Sequence, residues 1–219
     1  MARRDYRNDF VSVTEALNVL RKIGLEYWFK NNTAKFCNDK SKRGREIGTQ
    51  VHNLIEKYIN QEALKIDTQY PDEVKNALGS FFLFKKEHPE IKLKFSEIAG
   101  TSKKHEFNFT ADCTAEDENG ELVADWKTGE CKEEDKPKIY DESLYQVSAY
   151  TYALNELQGK DIKRAIVVSF AKDKVAYNIA YLSEVDVREY FEIAFLSALT
   201  IAKFQKRKKL EAKLKKGGK

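Results

Sequence analysis

Cysteine, proline and glycine are scarce in this chain, and it contains no long run of apolar residues. Among 219 residues there are three cysteines, three prolines and ten glycines. The cysteines, Cys37, Cys113 and Cys131, form no Cys-x-x-Cys pair. This spacing argues against a disulfide framework and against a zinc site, and it favours a reducing compartment. Since the sequence has neither a bilayer-spanning stretch nor a signal-peptide pattern, we expect a cytoplasmic protein that is not held in a membrane.

The overall composition is typical of one folded, soluble domain. Hydrophobic residues make up 42% and charged residues 34% of the chain, which is enough apolar material for one substantial core. We predict a single domain over residues 1–205, in which residues 1–45 supply an N-terminal helix and a basic loop. A basic tail follows over residues 206–219. The net charge of +4 is compatible with a phosphate-rich partner but does not require one.

Residues 107–129 predict a β-hairpin that carries three charged side chains of interest. Two runs of alternating apolar residues flank Asn119-Gly120, a pair that tolerates the positive φ angles of a tight hairpin turn. Asp112 lies on the first predicted strand, and Asp125 lies near the end of the second. Lys127 follows two residues later and therefore points to the same face as Asp125.

This set of side chains suits phosphodiester chemistry. Two carboxylates and a backbone carbonyl are hard oxygen ligands for Mg²⁺ or Mn²⁺. A lysine on the same face can hold or deprotonate a water molecule and can stabilise negative charge as it develops. The alternative interpretation is a solvated hairpin with scattered charges, and for an Asp-x-Lys sequence standing alone it would be the better one.

The rest of the sequence predicts helices and strands around this hairpin. Ser12 begins a capping pattern, and we expect a helix from there to about Phe29, with Trp28 and Phe29 in the core, followed by a polar connection over residues 31–45. Apolar spacing predicts further helices over residues 45–60, 71–88, 141–157 and 183–204, and further strands over residues 91–98, 164–170 and 175–182. This order predicts an α/β domain with a mixed central β-sheet flanked by helices.

Two further side chains are candidates for the same site. His52 lies on the second predicted helix, and Gly44 and Gly48 precede it. Glycine is costly in a helix unless something must approach closely, so this opening turn is unusual. Glu97 ends a predicted strand and is a candidate additional acid, although a charge at the sheet edge is an equally good interpretation.

Nucleic-acid contacts are predicted in two places. Lys42, Arg43 and Arg45 end the polar connection before the second helix, where they could bind a DNA phosphate; a solvated loop explains them as well. Gln146 and Tyr150 lie one helical turn apart, so their side chains can jointly hydrogen-bond a phosphate or a base edge.

Four motifs taken together resemble the PD-(D/E)XK nuclease superfamily and, within it, the RecB-like or phage-type exonuclease branch. They occur in the order Gly48-Thr-Gln-Val-His52-Asn-Leu-Ile-Glu56, Phe109-Thr-Ala-Asp112, Val123-Ala-Asp125-Trp-Lys127-Thr-Gly129 and Gln146-Val-Ser-Ala-Tyr150. The resemblance covers nearly the whole chain and implies a restriction-endonuclease-like core. The family's usual Gly-Thr before the first aspartate is replaced here by Thr110-Ala111.

The resemblance also implies residue roles. It implies a site for Mg²⁺ or Mn²⁺ formed by three side chains and one backbone carbonyl: His52, Asp112, Asp125 and Trp126. Lys127 would orient or activate the attacking water, and Gln146 and Tyr150 would steady the lysine and the DNA backbone. Some relatives hold an iron–sulfur cluster with late cysteines, but no cysteine follows Cys131, so we expect no such cluster.

The function implied by the resemblance is a metal-dependent DNA exonuclease. Its substrate would be single- or double-stranded DNA with free ends, and its products would carry 5′-phosphates and 3′-hydroxyls. We expect it to act in recombination, repair or replication of a phage or mobile element, in the host cytosol, with an annealing protein or a helicase as a candidate partner. Two alternatives stay open: a structure- or sequence-directed endonuclease on the same fold, and a non-catalytic nucleic-acid-binding relative.

Overall fold

Six strands form one mixed β-sheet with helices on both faces, which confirms the predicted α/β architecture. The computed structural model describes residues 9–64, 70–131 and 134–217. The elements are β1 (Val11–Ser12), α1 (Val13–Leu17), α2 (Ile23–Lys30), α3 (Ala34–Ile59), α4 (Asp72–Glu87), β2 (Lys92–Ser102), β3 (Phe107–Asp117), β4 (Gly120–Gly129), α5 (Asp141–Gln158), β5 (Arg164–Ala171), β6 (Tyr177–Leu182), α6 (Glu184–Glu189), a π-helical turn (Tyr190–Phe195) and α7 (Leu196–Gly217). Within those ranges, no helix has the length and apolar character needed to cross a membrane.

Strand β3 has neighbours along both of its edges, and one edge is divided. Strand β2 pairs antiparallel along residues 107–116 of β3. On the opposite edge, β1 pairs parallel with residues 107–108, and β4 pairs antiparallel with residues 113–117. Between these two, residues 109–112 have no strand partner on that edge in the described chain. The sheet therefore opens here into a fork between β3 and the end of β4, and we call this opening the fork.

Two apolar layers hold the helices against the sheet. One face packs on α1, α5 and α7 through buried side chains that include Phe109 and Phe191. The other face packs on α3 and α4, where Phe81 and Trp126 are fully enclosed. Because side chains alternate along a strand, Val123 of β4 contributes to the first layer and Trp126 to the second. The fork lies where helices from both layers can reach the same strands.

The hairpin is confirmed, and its neighbours are longer than predicted. Asp117 pairs with Gly120 across the turn, and Gly120 has a φ of +105°, a conformation that glycine adopts without a steric penalty. Strand β2 continues to Ser102 rather than ending near residue 98. The last helix continues to Gly217, so the boundary predicted at residue 205 falls inside α7.

The predicted helix from Ser12 to Phe29 is wrong, because two short helices replace it. The capping box at Ser12 and Glu15 is present, but α1 ends at Leu17 with Asn18 as its C-cap. Asparagine competes with the helix backbone for hydrogen bonds and favours such a break. The predicted core position of Phe29 is also wrong, since 47% of this residue is exposed.

The predicted polar connection over residues 31–45 is wrong as well. Thr33 caps α3, its side chain accepting from the backbone N–H of Phe36, and the helix then runs without interruption to Ile59. Only Cys37 is buried before Ile47. The first half of α3 therefore lacks the apolar stripe from which a helix can be recognised in a sequence.

Candidate metal centre

Three side chains from three elements meet at the fork. His52 of α3, Glu97 of β2 and Asp112 of β3 each offer a ligand atom, and these atoms lie within 4.8 Å of one another. Nδ1 of His52 is 3.7 Å from Oδ1 of Asp112. One imidazole nitrogen and two carboxylates at this spacing could hold a metal ion.

Asp125 and Lys127 lie beside this group on β4. Nζ of Lys127 is 2.5 Å from Oδ2 of Asp125, and the Asp125 side chain is fully buried. Its other oxygen, Oδ1, has no hydrogen-bond partner among the described residues. The backbone N–H of Trp126, between the two, donates to Oδ2 of Asp112 at 2.8 Å. The peptide that follows Asp125 thus fixes the carboxylate of the neighbouring strand.

Burial makes both aspartates weaker acids than they are in water. It raises the pKa of Asp112, and it raises the pKa of Asp125 to about 7. The charge of Lys127 opposes the shift at both carboxylates. A buried carboxylate is costly to ionise unless a compensating positive charge is near, so two such groups beside one lysine form a site that a cation would stabilise.

His52 is held neutral at physiological pH. Its pKa is lowered to about 4, first by burial and then by the positive charge of Lys127, while Asp125 and the backbone of Trp126 act in the opposite direction. A neutral imidazole has a lone pair free for a metal ion, whereas an imidazolium has none. The charge of Lys127 therefore favours the ionised carboxylates and also helps burial to keep His52 neutral, the form that can bind a metal ion.

Glu97 occupies a backbone conformation that is uncommon for its residue type. Its φ is +51°, and its neighbours Ser96 and Ile98 pair with Cys113 and Ala111 across β2 and β3. Glu97 therefore stands opposite Asp112. Left-handed backbone at a residue other than glycine costs about 1–2 kcal/mol, and such strain is concentrated at functional sites. The sequence carried no signal for this conformation.

Helix α3 approaches the end of β4 closely at Gly48. A Cβ atom at this position would lie 3.5 Å from Oγ1 of Thr128, which is an ordinary van der Waals contact. A small residue here brings α3 near the strand that carries Lys127, and it places His52 one helical turn further along at the fork.

Gln146 and Tyr150 lie on α5, on the face of the sheet opposite α3. The amide of Gln146 donates to the hydroxyl of Tyr150 at 2.5 Å, and only 5% of Tyr150 is exposed. The two side chains therefore lie together one helical turn apart, and they hydrogen-bond to each other. Their role toward Lys127 and toward DNA stays a prediction.

The three basic residues predicted to contact DNA are on a helix rather than in a loop. Lys42 lies 4.0 Å from Glu46, and the guanidinium of Arg43 is 2.6 Å from Glu73 at the start of α4. Arg45 is exposed. Because Arg43 and, at a longer distance, Lys42 already have carboxylate partners, Arg45 is the strongest phosphate-binding candidate of the three.

The donor set at the fork fits a divalent cation that prefers oxygen ligands. His52, Glu97 and Asp112 supply a compact group, and the unpartnered Oδ1 of buried Asp125 is a further acceptor next to it. Lys127 is 29% exposed, so its amine can reach both the carboxylates and a bound substrate. The arrangement combines a cation-binding group with a cationic side chain at one opening.

Comparison with known proteins gives little further information. No family model matches the chain, and no curated protein matches it. Among solved structures, the protein of the crystal structure of SSO0001 superimposes with a TM-score of 0.30 at 15% sequence identity. The match covers 56% of this chain and 59% of that one.

Proposed function

We propose that this protein is a divalent-metal-dependent deoxyribonuclease that degrades DNA from free ends, and that it is a member of the PD-(D/E)XK superfamily. The observation that carries the proposal is the meeting of His52, Glu97 and Asp112 within 4.8 Å, beside the Asp125–Lys127 ion pair on the adjacent strand. Metal-dependent hydrolysis of a phosphodiester can use these two parts side by side: a cation site for the phosphate oxygens and a lysine that orients the attacking water.

Each side chain has a distinct task in this proposal. His52, Glu97, Asp112, Asp125 and the carbonyl of Trp126 would hold Mg²⁺ or Mn²⁺. Bound there, the ion would supply positive charge to the attacking and leaving oxygens of an in-line displacement. Lys127 would orient the water and stabilise charge on the phosphate. Asp125 holds the amine of Lys127 in place through their 2.5 Å contact.

The test is cleavage of labelled DNA. Linear single-stranded and duplex DNA, labelled at the 5′ or the 3′ end, and covalently closed circles are incubated with the protein in Mg²⁺, Mn²⁺ or EDTA. We expect metal-dependent loss of linear DNA, with the label revealing the polarity. Lys127→Ala should lower the rate about 10²-fold or more, because it removes the only side chain assigned to the water.

A lysine that contacts the hairpin far from the fork provides the matched control. Lys160 forms an exposed ion pair with Glu121 at the start of β4, at the opposite end of that strand from Lys127. Lys160→Ala should cleave at the wild-type rate. Cutting of closed circles would change the assignment to an endonuclease. Full activity of Lys127→Ala, or no cleavage by wild type with any divalent metal, would overturn the proposal.

A further inference from the structure

Helix α2 is apolar and yet has no buried residue. Ile23 and Tyr27 are 68% and 71% exposed, and Leu25 and Phe29 are 45% and 47% exposed. Single exposed apolar residues are normal, but a whole helix of them marks a surface that binds something. The hydrophobic side chains occur all round the helix, so packing against this chain does not explain them.

Three aromatic rings form a continuous ridge from α2 to α3. The ring of Trp28 is 5.1 Å from that of Phe29 and 6.2 Å from that of Phe36. Phe29 and Phe36 are almost half exposed, at 47% and 45%, and Trp28 lies partly buried between them. We call Phe29, Trp28 and Phe36 the aromatic ridge. Its outer two rings present apolar surface to solvent at the junction of the two helices.

Positive charge surrounds the aromatic ridge. Residues 21–45 contain eight lysines and arginines and two acids, a net charge of +6 that exceeds the +4 of the whole chain. Lys30, Lys35 and Lys40 form no ion pair within the described part of the chain, and all three are exposed. An apolar protein partner would not require this charge, whereas a polyanion with flat apolar groups requires both features.

One face of α3 leads from the aromatic ridge to the fork. Positions 41, 44, 48 and 52 recur every three or four residues, so they lie on one side of the helix, and each of them is partly exposed. The first three are small: Ser41, Gly44 and Gly48. The last is His52. A Cβ atom at Gly44 would meet nothing within 4 Å. From Phe36 to His52 the helix rises about 24 Å, the length of about seven stacked nucleotides at 3.4 Å each.

We propose that the aromatic ridge binds a single-stranded nucleic acid by stacking its bases, and that the strand continues along α3 to the fork. This inference rests on the proposed nuclease function and names the form of its substrate. Bases of a single strand are free to stack on exposed rings, and every base has such a face. A duplex conceals these faces, so it would contact only the lysines.

Binding of dT20 and of a 20-base-pair duplex tests the proposal. Fluorescence anisotropy is measured in EDTA, where no cleavage occurs, for wild type and for the Phe29→Ala/Phe36→Ala variant. The matched control is Tyr27→Ala, which removes an aromatic ring that is 71% exposed on the same helix but outside the ridge. The ridge variant should bind dT20 about 10²-fold more weakly, with about tenfold lost per ring, whereas Tyr27→Ala should bind it as wild type does.

Tryptophan fluorescence gives a second readout that does not use the Phe29→Ala/Phe36→Ala variant. The protein has two tryptophans, and Trp126 is only 2% exposed, so quenching by dT20 should come from Trp28. It should disappear in Trp28→Phe. Quenching that persists in Trp28→Phe would overturn the proposal.

The contribution of the surrounding lysines is measured separately, by the salt dependence of binding. Lys35→Gln and Lys40→Gln should each reduce the slope of log K against log salt concentration for dT20 by about 0.7, and they should also weaken duplex binding. An equal loss of duplex and dT20 binding in the ridge variant would overturn the stacking assignment, because stacking is specific to the single strand. An unchanged salt slope would overturn the role of the lysines.

Cleavage separates this inference from the function on which it rests. If wild type degrades DNA, the ridge variant should have a lower kcat/KM on dT20 but an unchanged one on dT4, which is too short to span from the fork to the ridge. Equal kcat/KM of the ridge variant and wild type on dT20 would overturn the proposed binding at the aromatic ridge but would leave the proposed nuclease function standing. Binding of dT20 at the ridge without cleavage would support the ridge and overturn the nuclease, and failure of wild type to bind dT20 would overturn the ridge.

Discussion

A buried carboxylate with an unpartnered oxygen destabilises the folded state, and Asp125 is such a residue. Asp125→Asn removes the charge and keeps the size of the side chain. We expect the variant to be inactive but more stable than wild type in EDTA, by about 1–2 kcal/mol, or about 2–8 °C in Tm. Thermal unfolding in EDTA and in Mn²⁺ measures this. Mn²⁺ should raise the Tm of wild type but not that of Asp125→Asn, and the control Asp161→Asn, at an exposed position, should have the wild-type Tm in both EDTA and Mn²⁺.

Asp125 should also make the free energy of unfolding depend on pH. Its pKa in the folded protein is raised to about 7, whereas in the unfolded chain it is about 4. Between these values the folded state binds more protons than the unfolded state, so the free energy of unfolding falls as the pH rises. In EDTA, wild type should lose stability relative to Asp125→Asn between about pH 4 and pH 7. A constant difference over this range would contradict the buried-carboxylate argument.

Asp117 should have the opposite effect on how the free energy of unfolding depends on pH. Arg164 donates to both of its oxygens and also to the carbonyl of Gly120, which ties the hairpin turn to β5. This pairing lowers the pKa of Asp117, so its stabilisation is present above about pH 4 and is lost as the pH falls through the folded value. Asp117→Asn should cost about 1–3 kcal/mol at pH 7.

The measurement for Asp117 is urea unfolding at neutral and acid pH. The difference between Asp117→Asn and wild type should shrink steadily below about pH 4. Glu121→Gln is the comparison, because Glu121 forms an exposed ion pair with Lys160. Such pairs contribute about 0–1 kcal/mol, and a loss at Glu121 as large as that at Asp117 would contradict the assigned role of the Arg164 contacts.

At the scale of the element, two glycines in different settings should respond oppositely to alanine. Gly44 lies inside α3 with open space beyond it, and Gly100 of β2 would place a Cβ 2.9 Å from Leu157 and 3.0 Å from Phe109. Gly44→Ala should raise the free energy of unfolding by about 0.5–1 kcal/mol through helix propensity. Gly100→Ala should lower it by about 1–3 kcal/mol through overpacking. Urea titration of both variants tests the pair.

Elements that bury one regular face were predictable from the sequence. The turn at Gly120 and the apolar spacing of α4 were enough to place the hairpin and that helix. The N-terminal elements were not predictable for two different reasons. The first half of α3 buries only Cys37, so it has no apolar stripe. Trp28 and Phe29 are residue types that are typical of a core, but neither belongs to the two apolar layers. Composition predicts burial only where another element supplies the opposite surface.

At the scale of the whole molecule, the fork explains why the candidate site could be predicted only in part. Asp112, Asp125 and Lys127 were found because the hairpin fixes their strands and faces. The meeting of His52 with Glu97 depends on the sheet opening between β3 and β4, and on α3 reaching across it. Local periodicity contains no information about such long-range packing. The left-handed backbone at Glu97 likewise has no counterpart in a pattern of apolar residues.

Strand β2 forms one border of the sheet, and its irregular backbone has a consequence for self-association. An eleven-residue strand with a regular free side offers a row of unpaired backbone groups to which another chain can add. Here the register shifts between Leu93 and Phe95, and Glu97 follows with positive φ. Bulges and turns of this kind twist a border strand away from a regular template. The distortion that accompanies Glu97 at the fork therefore also acts against intermolecular β-sheet growth and fibril formation.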